Sequence, residues 1–181
     1  MRVLVLLADG CEEMEAVILI DVLRRANWEV TATSIESQKA IRASRGVGLE
    51  ADVQFDEVDY STYDLLVLPG GLGGVERLAA HAGVLEALAY FDTQKKWIGA
   101  ICAAAVVLSK AGVLEHRAFT CYPSIEQELP EVAAWVDQAV VIDAHLITAQ
   151  GPGSAFEFAL TLIAQIADSE QAASVRAALL L

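Results

Sequence analysis

Short apolar runs recur along the chain and alternate with longer segments whose apolar residues follow helical spacing. An unbroken apolar run is typical of a parallel strand that is covered on both faces. These runs, with some shorter β-prone ones, predict strands at 2–8, 28–35, 64–68, 97–101, 118–120, 139–142 and 146–149. The intervening segments predict helices at 12–26, 84–93, 103–110, 155–167 and 169–180, a helical turn at 124–129, and a hairpin from 40–43 and 47–50.

Strands that alternate with helices indicate an α/β fold, a doubly wound and mostly parallel sheet with helices on both faces. The chain has 181 residues, which is the size of one domain with a core large enough to be stable alone. No repeat, low-complexity tract or linker interrupts it. We therefore expect a single domain over residues 1–181.

Composition and charge narrow the function classes. The net charge of −13 argues against a surface for nucleic acid or anionic membrane. No apolar run has the length of a membrane span, and the first residues lead directly into a strand rather than a signal peptide. Three widely spaced cysteines fit neither a disulfide framework nor a zinc site. Together these features predict a cytoplasmic protein.

Residues 97–108 (W-I-G-A-I-C-A-A-A-V-V-L) contain the strongest chemical signal. A buried strand passes into a helix at Cys102 without a loop, and we call this junction the elbow. An elbow lifts its central side chain above the sheet and needs small neighbours, which Ala100, Ala103 and Ala104 provide. Because a helix N-terminus favours a thiolate, we expect the pKa of Cys102 to fall below about 6.5. The alternative is a buried structural cysteine, since free cysteines are often buried.

Three loops follow predicted strands, at residues 10–15, 69–74 and 102–104. Ligands of doubly wound sheets bind at the carboxyl ends of the strands, so these loops should converge on one site. The second loop is rich in glycine, but it lacks the lysine of a P-loop and the G-x-G-x-x-G pattern, which argues against nucleotide binding. Glu15 lies in the first turn of a predicted helix, where an acid also suits the helix dipole alone.

Four motifs then carry a resemblance to a known family. D-G-C-E-E-M-E-A-V (9–17), V-L-P-G-G (67–71), A-I-C-A-A (100–104) and Q-G-P-G-S-A-F-E-F-A-L (150–160), in this order, resemble the ThiJ/PfpI superfamily. The similar branch is that of the parkinsonism-associated deglycase and its bacterial YajL-type relatives. The resemblance implies a flavodoxin-like fold, a cytoplasmic homodimer that assembles through the first helix, and an oxidisable cysteine at the elbow.

The resemblance also implies roles for particular residues. Cys102 matches the reactive cysteine, and Glu15 matches a protonated glutamate that hydrogen-bonds the thiolate. Gly71 and Ala103 match the residues whose backbone N–H groups form an oxyanion site. Arg45 matches an arginine near the dimer interface. No metal and no organic cofactor are implied.

The sequence departs from the family pattern at positions where some members have a histidine. Tyr122 stands where many members have a histidine, and Ala103 stands where the protease-like branch has one. A Cys–His peptidase site is therefore not expected, and His81, His116 and His145 fall outside the expected site. Arg45, Tyr122 and Cys121 are accessory candidates for the site. Cys121 would act as a second reactive thiol, although a structural role suits it better.

Three functional hypotheses follow. In the first, Cys102 attacks a small α-oxoaldehyde such as methylglyoxal, or its adduct on a protein or nucleotide, and Glu15 moves protons so that lactate is released. In the second, Cys102 is the oxidisable thiol of a redox sensor or chaperone and becomes a sulfinate without steady turnover. In the third, the chain is a degenerate scaffold with an unreactive thiol.

Overall fold

The computed structural model describes residues 1–129 and 134–181, and the described residues form eleven strands. In chain order these are β1 Arg2–Leu7, β2 Glu29–Ser34, β3 Ala40–Arg42, β4 Gly48–Glu50, β5 Val53–Gln54, β6 Leu65–Leu68, β7 Trp97–Ile101, β8 Ala118–Phe119, β9 Ala134–Trp135, β10 Val140–Asp143 and β11 Leu146–Ala149. Seven of them form the central sheet in the order β10-β11-β7-β6-β1-β2-β5. All neighbours in it are parallel except β10 and β11, which confirms the predicted α/β class.

Six α-helices accompany this sheet in the described part of the chain: α1 Glu13–Arg25, α2 Leu72–Ala80, α3 Ala82–Thr93, α4 Ala105–Lys110, α5 Ala155–Ile166 and α6 Ser169–Ala178. Within residues 1–129 and 134–181, no helix is long and apolar enough to cross a membrane. The predicted hairpin is present as β3 and β4, and the predicted helical turn as a 3₁₀ turn at Ile125–Glu128.

Helix α2 was not predicted. Gly73 and Gly74 lie in its first turn, where glycine weakens a helix. The structure shows why Gly74 is there: a Cβ atom on it would lie 2.8 Å from the backbone of Cys11. This close approach holds α2 against the loop that follows β1.

The two faces of the sheet are covered by separate hydrophobic clusters. Side chains of β1 alternate, so Val3, Val5 and Leu7 pack with residues of α1 and α5. Leu4 and Leu6 point to the opposite face and pack with residues of α2, α3 and α4. Burial on both sides explains why residues 3–8, which follow Arg2, contain no polar residue.

The register of the sheet decides where its loops meet. Val67 of β6 pairs with Val5 of β1 on one side and with Gly99 of β7 on the other. The carboxyl ends of these three adjacent parallel strands therefore lie side by side. The loops that follow them, at residues 10–15, 69–74 and 102–104, converge at this edge as predicted.

Candidate functional site

Cys102 lies at the elbow in a conformation that L-residues seldom adopt. Its φ is +63°, in the left-handed region that costs roughly 1–3 kcal/mol for a residue other than glycine. The chain leaves β7, makes a 3₁₀ turn at Cys102–Ala104 and begins α4 at Ala105. The α-helix thus begins three residues after the cysteine, later than the predicted start at residue 103.

Small residues allow the chain to fold closely around the thiol. Ala103, Ala104 and Ala105 are all buried. A Cβ atom on Gly70 would lie 2.6 Å from Cβ and 3.0 Å from Sγ of Cys102. Only glycine at position 70 therefore leaves room for the elbow in this place.

Glu15 reaches the same point from α1. Its side chain is fully buried, and its Oε2 accepts a 2.6 Å hydrogen bond from the backbone N–H of Gly70. Its own backbone N–H donates to the Glu12 carboxylate, which caps the helix. The carboxyl group interacts with the Cys102 thiol strongly enough to affect the pKa of both groups.

The environment of Glu15 favours its protonated form. Burial is the main cause that raises its pKa, with a smaller contribution from the charge of Glu12, and the result is a pKa of about 7. The Gly70 hydrogen bond and the Cys102 thiol act in the opposite direction. Among the described residues, the Oε1 atom of Glu15 is buried without a hydrogen-bonding partner, which disfavours a charge on it. Glu15 can therefore gain or lose a proton near neutral pH.

The expectation of a lowered thiol pKa at Cys102 is wrong. Burial, and next the negative charge of Glu15, raise the pKa of Cys102 to about 12. The N–H groups of Ala103 and Gly71 lower it, but by less. A 3₁₀ turn, and not the N-terminus of an α-helix, follows the cysteine directly. The thiol is also largely removed from water, which disfavours its charged form. Two negative charges oppose each other in this site, so the Cys102–Glu15 pair retains at least one proton at neutral pH.

Two backbone N–H groups nonetheless face the sulfur, and they belong to Gly71 and Ala103. Gly71 has a φ of +91°, and a Cβ atom on it would overlap the backbone of Gly10 and lie 2.5 Å from the amide nitrogen of Glu12. This conformation is accessible to glycine and directs the N–H group toward Cys102. The pair of donors is suited to a negative oxygen that develops next to the sulfur.

These residues open into a cleft of about 710 Å³, which we call the Cys102 cleft. It is lined by Gly10, Glu12, Ser44, Arg45, Gly71, Leu72, Gly73, Cys102, Ala103, Tyr122, Ser124, Ile125, Glu128 and Pro152. Cys102 is partly exposed within it. The volume suits a small organic molecule.

Arg45 is one of the residues that line the cleft, and the chain around it is fixed from α1. The Glu13 carboxylate accepts a hydrogen bond from the backbone N–H of Arg45 at 2.9 Å and one from the Ser44 hydroxyl at 2.8 Å. The Arg45 side chain itself is exposed. Its expected place near a partner subunit remains a prediction.

Tyr122 and Cys121 differ in their access to the site. Tyr122 lines the cleft and is 50% exposed, and its backbone N–H donates to the carbonyl of Cys102. Cys121 is fully buried, and burial, aided by the charge of Glu126, raises the pKa of its thiol to about 12. A buried, protonated thiol is poorly suited to act as a second nucleophile.

The three histidines contribute to other parts of the molecule. His81 accepts a hydrogen bond from the backbone of Val84 at the start of α3, and His145 bonds to Asp92 at 2.8 Å. His116 is exposed. None of the three is among the described residues that line the Cys102 cleft, so the geometry offers no Cys–His dyad there.

Gly70 is the site residue that sequence reasoning missed. It holds the Glu15 carboxyl through its N–H group, contacts Cys102, and accepts a hydrogen bond from the Glu12 backbone at 2.9 Å. The available signal was the P-G-G sequence directly after a buried strand. The resemblance gives a role only to Gly71, whereas in the structure both glycines lie against Cys102.

Comparisons with known proteins agree with this fold and identify the family. The family model described as DJ-1/PfpI matches residues 1–165. The chain is 40% identical over 178 residues to protein dj-1beta of Drosophila melanogaster, covering 98% of this chain and 95% of that protein. The crystal structure of that protein superposes with a TM-score of 0.96, over 99% of this chain and 97% of the other.

Two further relatives bear on the function of the family. The glutathione-independent glyoxalase DJ-1 of Schizosaccharomyces pombe is 30% identical over 179 residues, covering 94% of this chain and 93% of that protein. An oxidized DJ-1 of Toxoplasma gondii is 40% identical with a TM-score of 0.94, over 99% of this chain and 97% of that one. These matches extend over nearly the whole chain and agree in both sequence and fold. The chain therefore belongs to the DJ-1/PfpI family.

Proposed function

We propose that the protein is a cofactor-independent glyoxalase that converts small α-oxoaldehydes such as methylglyoxal, or their adducts, to α-hydroxy acids. The observation that carries the proposal is the buried Glu15 carboxyl, with a pKa raised to about 7, next to the Cys102 thiol. An acid that exchanges its proton near neutral pH is suited to general acid–base catalysis. The 30% identity to a named glyoxalase supports the same activity.

The first step joins the thiol to the aldehyde. The sulfur of Cys102 attacks the aldehyde carbon, an S–C bond forms, and the C=O π electrons move to oxygen. The thiol proton passes to the Glu15 carboxylate as the S–C bond forms. The Cys102–Glu15 pair keeps at least one proton at neutral pH, so the thiol can lose its proton only if Glu15 takes it up. The N–H groups of Gly71 and Ala103, which face the sulfur, donate to the new oxyanion, which then takes a proton to give a hemithioacetal.

The second step moves a proton between adjacent carbons. The Glu15 carboxylate, having passed its first proton to the oxyanion, removes the hydrogen from the carbon bonded to sulfur and returns it to the neighbouring carbonyl carbon. The hydroxyl proton of the first carbon moves to the oxygen of the second, so that the first oxygen becomes the thioester carbonyl and the second becomes the hydroxyl. The first carbon is thereby oxidised and the second reduced, with no net change in the molecule. The product is a thioester, and water hydrolyses it to the hydroxy acid and regenerates the thiol. No external oxidant or reductant is consumed.

The test is steady-state consumption of methylglyoxal by the purified protein, with lactate measured as product. Cys102→Ala and Glu15→Gln should each abolish turnover, because one removes the nucleophile and the other the proton acceptor. Cys121→Ala is the matched control, a thiol removed from a buried position outside the cleft. Normal turnover in Glu15→Gln would exclude the acid–base role of Glu15.

A second candidate function is redox sensing through Cys102. It is supported by the two N–H groups that face the sulfur and would equally stabilise a sulfinate, and by the relative whose structure is of an oxidized form. Two equivalents of hydrogen peroxide would each transfer one oxygen to the sulfur and leave as water. Mass spectrometry after peroxide treatment would test this. Sulfinate at Cys102 together with no methylglyoxal turnover would favour sensing over catalysis.

A homodimer through α1 forms part of the proposal. Met14 is 56% and Val17 is 47% exposed, and their spacing places them on one face of the helix. Large apolar side chains clustered on a surface are typical of an interface. The same helix begins at the site, since Glu15 belongs to it. A cytoplasmic location is likewise a prediction.

A further inference from the structure

Tyr122 is tied to the elbow by its backbone. Its backbone N–H donates to the carbonyl of Cys102 at 3.3 Å, and its own carbonyl accepts from the N–H of Ile125 at 3.0 Å. Backbone bonds on both sides fix the place from which its side chain starts. The ring is nevertheless half exposed, which leaves an aromatic surface open in the wall of the Cys102 cleft.

The ring rests on bare backbone at Gly151. A Cβ atom on Gly151 would lie 3.2 Å from Cδ2 and 3.8 Å from Cε2 of Tyr122. One edge of the ring is therefore supported by the backbone of the loop that follows β11, and glycine at 151 permits this close contact. An alanine there would push the ring by a few tenths of an ångström.

Tyr122 also forms a boundary between two cavities. On one side is the Cys102 cleft, and on the other is a hollow of about 350 Å³, which we call the second hollow. The second hollow is lined by Tyr122, Pro123, Ala139, Gln150, Gly151, Pro152, Gly153, Ser154 and Glu157. Tyr122 and Pro152 line both cavities, so a substrate that extends from Cys102 toward the second hollow must pass over their apolar surfaces.

We propose that Tyr122 is a specificity-determining residue whose ring receives a flat apolar group that the electrophile carries beside the carbon that reacts with Cys102. The proposal deepens the proposed glyoxalase function and rests on it for the substrate class, which is α-oxoaldehydes with an aromatic substituent. Offset stacking of two rings stabilises contact beyond simple burial by an amount that corresponds to about a two- to tenfold change in rate or affinity. A methyl substituent gains no such contact.

The test uses covalent labelling of Cys102, which requires no turnover. Rates of reaction with N-phenylmaleimide and N-ethylmaleimide are measured by mass spectrometry, and their ratio is compared between variants so that the intrinsic reactivities of the reagents cancel. Cys11 and Cys121 are fully buried, and site mapping assigns the signal to Cys102. Circular dichroism and a thermal melt establish that each variant is folded.

We expect Tyr122→Ala to lower the phenyl-to-ethyl ratio by about two- to tenfold. Tyr122→Phe keeps the ring and should keep the ratio, and Gly151→Ala, which displaces the ring, should lower it by less than Tyr122→Ala. An unchanged ratio in folded Tyr122→Ala would overturn the proposal. An equal loss in Tyr122→Phe would also overturn it, since the hydroxyl rather than the ring would then be responsible.

The ratio of kcat/KM for phenylglyoxal to that for methylglyoxal gives the second readout. Tyr122→Ala should lower this ratio, and it should do so by raising KM for phenylglyoxal rather than by lowering kcat. If the wild-type protein consumes neither aldehyde while the labelling ratio still depends on the ring, the glyoxalase function fails and the role of Tyr122 stands. If it consumes both and neither ratio responds to Tyr122→Ala, the glyoxalase function stands and the role of Tyr122 fails.

Discussion

Glu15→Gln should change how the stability of the protein depends on pH. Folding raises the pKa of Glu15 from its ordinary value of 4.5 to about 7, chiefly through burial. The folded state therefore binds more protons than the unfolded state between these values, and the free energy of unfolding falls as pH rises through this window. The loss is nearly complete at about pH 8, one unit above the folded-state pKa.

The magnitude follows from the two pKa values. Each unit of difference corresponds to 1.36 kcal/mol, so ionised Glu15 destabilises the fold by about 3 kcal/mol, of which about 2.5 kcal/mol develops between about pH 5 and pH 8. Glutamine has nearly the same shape, and its carbonyl can accept the Gly70 hydrogen bond, but it does not ionise. The stability of Glu15→Gln relative to wild type should therefore rise by about 2–3 kcal/mol over this range.

Urea denaturation of both proteins at about pH 5 and pH 8 measures this difference. Effects of all other titrating groups cancel in the comparison, because they are common to both proteins. Glu86→Gln, the same chemical change on the exposed face of α3, is the matched control. A relative stability that stays constant with pH, or that falls, would refute the claim that Glu15 is buried with a raised pKa.

Three other outcomes are expected. Gly70→Ala should abolish methylglyoxal turnover and lower the melting temperature, because its Cβ would lie 2.6 Å from Cβ of Cys102 and 2.9 Å from Oε2 of Glu15; a fully active variant would contradict the packing. Met14→Asp should convert a dimer of roughly twice 19.3 kDa into a monomer in sedimentation, whereas wild-type protein that is already monomeric would remove the dimer proposal. Phe91→Ala should cost about 3–5 kcal/mol in urea denaturation, since the ring is fully buried, and a cost below about 1 kcal/mol would contradict that burial.

Most of the fold could be predicted because its signals are local. The apolar run at 2–8 needs no partner to indicate a strand buried on both faces, and three such strands suffice to place their loops at one edge. Elements that depend on distant contacts were missed. Helix α2 has two glycines in its first turn, and the second of them, Gly74, is explained only by its close packing on Cys11. The two-residue strands β5 and β9 are too short to produce a periodic pattern.

The distinction between local signals and distant contacts applies to the site as well. The elbow could be predicted from residues 97–108 alone, and the resemblance supplied Glu15 and Gly71. The direction of the Cys102 pKa could not be predicted, because it depends on how deeply the thiol is buried and on a carboxylate brought from α1. A local rule about helix N-termini favours the thiolate, but desolvation and a neighbouring negative charge outweigh it here.

Because burial and the charge of Glu15 raise the pKa of Cys102, the proposed reactivity of its thiol needs an explanation other than a stabilised thiolate. A thiol with a raised pKa is reactive only if its proton has somewhere to go, and Glu15, with a pKa of about 7, is the group beside it that can accept one. Gly70 connects the two, since its N–H holds the carboxyl group and its missing side chain leaves room for the cysteine. In the proposed mechanism the reactive unit is therefore the Cys102–Glu15 pair with its shared proton, and a change that separates the two groups should abolish reactivity even when each residue is intact.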